Sequence, residues 1–106
     1  MIRFIPFEKD DVIGMKAVEN DIDIGFCTFR INGFDMEFIG VECEDDIIVE
    51  GLARAAMNYA ANRYAYIAKI DKKYISPAFL RLGFSGEEIL SVEIPEALTS
   101  GCSCGH

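Results

Sequence analysis

EDDIIVEGLARAAMNYAANR, Glu44 to Arg63, reads as a helix entered directly from a strand. Ile48, Leu52, Ala55, Ala56, Tyr59 and Ala60 recur at spacings of three and four, which gathers them into one apolar stripe. Asp45 or Asp46 suits the N-cap, and the carboxylates of Glu44, Asp45 and Asp46 suit the positive end of the helix dipole. In many α/β proteins the unpaired N–H groups at such a helix start hold a phosphate. Here that place carries negative charge, and function turns on the conflict.

Outward from this helix, the preceding chain alternates as strands do. Ile22 to Ile31 puts Ile22, Ile24, Phe26 and Thr28 on one side and Asp23, Gly25, Cys27 and Phe29 on the other. Asn32-Gly33 predicts a type I′ hairpin turn into Phe34–Cys43. In that partner strand Phe34, Met36 and Phe38 share a face, then the parity slips to Ile39, Val41 and Cys43. A slip of one residue predicts a β-bulge near Phe38–Gly40. Farther upstream, IRFIPF at 2–7 reads as an edge strand, 8–14 as polar and turn-like, and Met15–Val18 as a short strand.

Downstream of the helix, taken as 46–63, YAYIAKI at 64–70 reads as a strand and 71–74 as a polar loop. Ser76-Pro77 starts a short helix, 77–82, that Gly83 stops. EEILSVEI at 87–94 reads as the last strand, ended by Pro95, and Thr99 to His106 as a flexible tail with nothing to bury. The order β–β–β–β–α–β–α–β describes one α/β (α+β) domain over 1–98, followed by the tail at 99–106.

The chain has 106 residues, of which 51% are hydrophobic, and a net charge of −8. That charge argues against nucleic-acid and anionic-membrane partners. No apolar run approaches the ~20 residues of a membrane span, and no signal peptide is visible, so the expected location is cytoplasmic. In that setting the four cysteines are expected as free thiols.

The run from Met15 to Glu93 resembles the GCN5-related N-acetyltransferase (GNAT) superfamily. It is carried by the antiparallel series DIGFCTFRINGFDMEFIGVE, the helix GLARAAMNYAANR, and AFLRLGF at 78–84, which is similar to that superfamily's short helix and Leu-Gly-Phe before a final strand. The resemblance implies a mixed, mostly antiparallel sheet with one long and one short helix. It also implies transfer of an acyl group from acetyl-CoA or another acyl-CoA to a small-molecule or peptide amine. The acyl-CoA arm is then expected along Ile39, Gly40 and Val41, where the family splays its fourth strand, and at the helix start, Ile47, Ile48 and Val49.

Three departures qualify that expectation. The family's phosphate loop, Gln/Arg-x-x-Gly-x-Gly/Ala, falls on Glu44 to Val49, with Glu44 at the lead and Ile47 and Val49 at the glycine positions. Two unit charges ~4 Å apart interact by about 4 kcal/mol at an effective dielectric of 20. A carboxylate cluster therefore removes much of a micromolar cofactor affinity, about 8 kcal/mol. The family's acid, a tyrosine, falls on Phe79, which has no proton to donate; Tyr74 lies five residues earlier. The family's two helices between its first two strands have no room in residues 8–14. Their absence leaves an apolar face that a homodimer would cover.

Glu42 and Glu37 stand where some family members carry a general base; the plain alternative is two solvated strand carboxylates. Glu42, Glu44, Asp45 and Asp46 have the oxygen ligands for a divalent cation, against capping and solubility as the alternative. Lys69, Lys72, Lys73 and Arg81 form the one local basic concentration, and Lys72 is the candidate for a cofactor phosphate. Cys102, Cys104 and His106 are suitable ligands for zinc or another thiophilic metal, with Cys27, Cys43, a second chain or the terminal carboxylate to complete the set, against an inert tail as the alternative. Two functions follow: a shortened acyl-CoA-dependent N-acyltransferase with weak or lost acetyl-CoA binding, or a non-catalytic binding or regulatory module with a metal- or thiol-reactive tail.

Overall fold

Alternating apolar and polar residues build four antiparallel strands in succession: β1 (Ile2–Lys9), β2 (Val12–Glu19), β3 (Ile22–Asn32) and β4 (Asp35–Glu42). Then follow α1 (Asp46–Ala61), β5 (Ile67–Asp71), a 3-10 turn (Lys72–Tyr74), α2 (Pro77–Arg81), β6 (Ile89–Glu93) and α3 (Ile94–Ser103). The computed structural model of the chain describes residues 1–103. The six strands lie in sequence order, β1-β2-β3-β4-β5-β6, and only β4–β5, joined through α1, is parallel.

The predicted bulge is present. Thr28 stands opposite Gly40 and Phe29 opposite Phe38, so Ile39 is the extra residue. A second bulge, at Ile24, was not read from the sequence: Ala17 faces Gly25 while Val18 faces Asp23. It corrects the parity of β3. Ile24 packs with the core, whereas Asp23 shares a face with Phe26 and Thr28.

The Asn32-Gly33 hairpin forms with its turn shifted by one residue. Asn32 stays in the strand opposite Asp35, the loop is Gly33–Phe34, and of the two only Gly33 has positive φ, 64°. The type I′ sign pattern occurs instead at Asn20–Asp21, with φ of 53° and 64°. Residues 8–14 are no open turn either. β1 and β2 extend to a tight loop at Asp10–Asp11, because cross-strand pairing outweighs the local polarity of Glu8, Lys9 and Asp10.

α1 buries Val49, Leu52, Ala53, Ala56, Met57 and Ala60. Of the expected stripe, Leu52, Ala56 and Ala60 are in the core, while Ile48, Ala55 and Tyr59 pack at its margin. The buried face is turned because α1 packs against α2 and α3 as well as the sheet. α3 is a correction to a chain read as ending its last element at Pro95. Pro95 does end β6, but it also sits in the first turn of a new helix, where its missing N–H costs nothing. Ile94 and Ala97 anchor that helix in the core.

All three helices lie on one side of the sheet, since α1 touches both others. Phe38, Phe79 and Phe84 meet edge-to-face at centroid distances of 5.2–6.2 Å and fix α2 to the core.

Candidate functional site

The Ile39 bulge changes how β4 meets its neighbour. β4 pairs with β5 only from Asp35 to Phe38, opposite Ile67 to Ile70. Beyond the bulge, residues 40–42 keep β3 as partner and have none on the β5 side. The strand edge is open there, with backbone groups available to a ligand. Gly40 makes the close approach feasible, because a Cβ there would meet Thr28 Oγ1 at 2.8 Å. Ile39, Gly40 and Val41 are all half-buried at this fork. Glu37 and Glu42 are exposed on either side of the bulge, opposite Arg30 and Phe26 respectively.

Three residues farther on, the start of α1 satisfies itself. Asp45 is the N-cap, its carboxylate accepting from Ile47 N–H at 2.9 Å. Asp46 turns to α2, accepts from Ala78 N–H at 3.2 Å and pairs with Arg81 at 2.8 Å. Arg81 also binds Glu50 at 2.9 Å, and Arg54 binds Glu50 at 3.2 Å. Partial desolvation pushes the Asp46 carboxyl up, but Arg81 and the Ala78 N–H outweigh it and hold the group below its ordinary value. Hydrogen bonding from Arg81 likewise lowers Glu50, against desolvation. Asp46 and Glu50 are thus a clasp on Arg81 between α1 and α2, and Asp45 is a cap. Glu42, Glu44, Asp45 and Asp46 do not form the considered cation site: no cluster of three or more His, Cys, Asp or Glu suited to a metal occurs among the described residues.

The other positions read from sequence disperse. Ile47 is 79% exposed at the mouth of α1, Ile48 is half-buried, and Val49 is in the core and out of a ligand's reach. Lys72 pairs with Glu88 at 3.2 Å, Lys69 with Asp35 at 3.1 Å, and Lys73 lies 5.2 Å over the Tyr74 ring. These cations do not form one phosphate site. Tyr74 is half-buried in the 3-10 turn beside β4, and Phe79 is 1% exposed within the aromatic cluster. Cys104, His106 and the side chain of Cys102 lie outside the described residues. Cys27 and Cys43 are free; burial pushes the Cys27 thiol up to about 12 against a lowering backbone hydrogen bond at Met15, so it is a poor metal ligand.

Sequence reading missed a cleft on the helix-free face of the sheet. It is about 600 Å³, lined by Phe7, Val12, Phe26 and Ile39, with Lys9, Asp10, Lys16 and Asp23 among its charged residues. Phe7 and Phe26 meet edge-to-face at 6.4 Å. The Phe7 ring lies directly over Gly14, where any Cβ would collide with it. The signal was the alternation of β1 and β2, but the Ile24 bulge hides that Asp23 and Phe26 share a face.

No family model and no curated protein matches the chain. Solved structures do. An acetyltransferase of the GNAT family from Desulfovibrio desulfuricans superposes with a TM-score of 0.67 at 14% identity, over 79% of this chain and 70% of that one. The aminoglycoside 6′-N-acetyltransferase from Enterococcus faecium gives 0.67 at 12% identity, over 81% and 76%. An N-acetyltransferase from Thermoplasma acidophilum, in complex with coenzyme A, gives 0.66 at 16%, over 78% and 61%. With its six-stranded, mostly antiparallel sheet forking after β4, this chain has the GNAT acetyltransferase fold.

Proposed function

We propose that this chain transfers an acyl group from a thioester to an amine. The fork at the Ile39 bulge carries the reading, because it leaves one strand edge unpaired inside a fold otherwise closed by the core. Backbone N–H groups around Ile39–Val41 would polarise the thioester carbonyl. The amine nitrogen attacks the carbonyl carbon, the C–N bond forms, and the C–S bond breaks to release the thiolate. The surplus proton on nitrogen passes to Glu42 or Glu37, and the thiolate takes a proton from Tyr74 or from water.

Coenzyme A, which the fold implies, does not fit at its phosphate end. The Ile47 N–H in the first turn of α1 is capped by Asp45, and Arg81 is held by Asp46 and Glu50. No step is assigned to that part of the molecule. The acceptor would lie in the cleft of Phe7, Val12 and Phe26, whose volume suits a small molecule. Asp10 supplies a carboxylate for an ammonium group, Asp23 being paired with Lys16 at 3.8 Å, and the aromatic rings supply an apolar wall. The E. faecium and T. acidophilum neighbours, named as N-acetyltransferases, support the reaction class.

The test is incubation with millimolar acetyl thioesters and a panel of polyamines, aminoglycosides and aromatic amines, with N-acetylation read by mass spectrometry. Acetylated amine above the uncatalysed rate is expected, weakened by Phe26→Ala through a raised acceptor KM. No product from any thioester would overturn the reading. It would leave a non-catalytic binding module, which the self-satisfied α1 start favours.

A further inference from the structure

We infer that the acyl donor is a phosphate-free thioester, an acyl group on a pantetheine-type thiol without a nucleotide diphosphate. This rests on the acyl-transfer reading above. Binding a diphosphate needs free N–H donors and cations, and near the fork the chain's own carboxylates engage two such N–H groups and three such cations. Ile47 N–H is taken by Asp45 at 2.9 Å and Ala78 N–H by Asp46 at 3.2 Å. Arg81 is taken by Asp46 and Glu50, Arg54 by Glu50, and Lys72 by Glu88.

The recess in front of α1 adds repulsion. It is lined by Glu19, Glu42, Glu44 and Asp45, with Ile24, Cys43 and Ile48. A phosphate entering there meets like charge on several sides, in a chain already at −8. Ile47, 79% exposed, adds a branched side chain at the same helix start. An uncharged amide chain meets none of these obstacles. Its N–H and C=O groups match the unpaired edge of residues 39–42, as an added strand would. The strand edge at the fork is therefore open while the recess before α1 repels phosphate, which selects for the thiol arm alone.

The experiment compares S-acetylpantetheine with acetyl-CoA as donors to one amine, in the unaltered protein and in a Glu44→Gln/Asp45→Asn variant. Asparagine caps a helix as well as aspartate, so the variant keeps its fold, checked by circular dichroism. In the unaltered protein kcat/KM for S-acetylpantetheine is expected to exceed that for acetyl-CoA by at least about ten-fold. The variant is expected to raise kcat/KM for acetyl-CoA about ten-fold and to leave S-acetylpantetheine within about two-fold. Acetyl-CoA used as well as S-acetylpantetheine, or a variant that changes neither, overturns the inference and leaves the acyl-transfer reading standing. No turnover of either donor overturns both.

Discussion

The fork beside β4 and the start of α1 are separated by Cys43, Glu44 and Asp45 alone, yet they differ in kind. The fork is made by register: one extra residue, Ile39, and a glycine that lets Thr28 come close. The start of α1 is made by side chains, and they are carboxylates engaged with Ile47, Ala78 and Arg81. A backbone feature survives many substitutions because strand pairing maintains it. A charged recess is remade by two or three. The fork can thus keep its geometry while the neighbouring helix start changes its chemistry.

The largest effect is expected at the anchor that α2 and the sheet share. Phe79→Ala removes a fully buried ring from the Phe38–Phe84 cluster and should cost about 3–5 kcal/mol, measured by urea unfolding. A loss below about 1 kcal/mol would mean that α2 is not held by this packing. Gly40→Val acts on the fork alone. Its side chain meets Thr28, which should cost about 1–3 kcal/mol and abolish thioester turnover. Full turnover by a folded Gly40→Val protein would remove the bulge from the mechanism.

A smaller effect tests the clasp. Asp46 and Glu50 titrate below their ordinary values in the folded chain, so the stabilisation they give is present above about pH 4. It is lost as pH falls through the lowered values, because the unfolded state then binds more protons. Arg81→Ala should lower Tm by a few degrees at pH 7, as expected for an ion pair open to solvent, and the gap to the unaltered protein should close in acid. A pH-independent gap would assign the effect of Arg81 to packing instead.

The sequence carried the strand order and the bulge at Ile39, because both are written in period-2 alternation and its single slip. It carried the short helix with Leu82-Gly83-Phe84 through Ser76-Pro77 and the stopping glycine. It did not carry α3, since Pro95 signals a strand end as well as a helix start, and Ile94 and Ala97 show their burial only once α1 is beside them. The hairpin at Asn32-Gly33 was right in place and wrong by one residue, because pairing of Asn32 with Asp35 sets the register. The acidic run at 44–46 was visible as charge, and its conflict with phosphate was legible. What it binds was not, because Arg81 and Ala78 are over thirty residues away in sequence. The cleft of Phe7 and Phe26 was hidden for a similar reason: it joins four strands across a bulge.

The contrast between an open fork and a closed phosphate end is tested most directly by calorimetric titration of acetyl-CoA into the unaltered protein and the Glu44→Gln/Asp45→Asn variant. Dissociation constants above about 1 mM for the unaltered protein, tightening about ten-fold in the variant, are predicted. Micromolar binding by the unaltered protein, unchanged by the substitutions, would contradict the account.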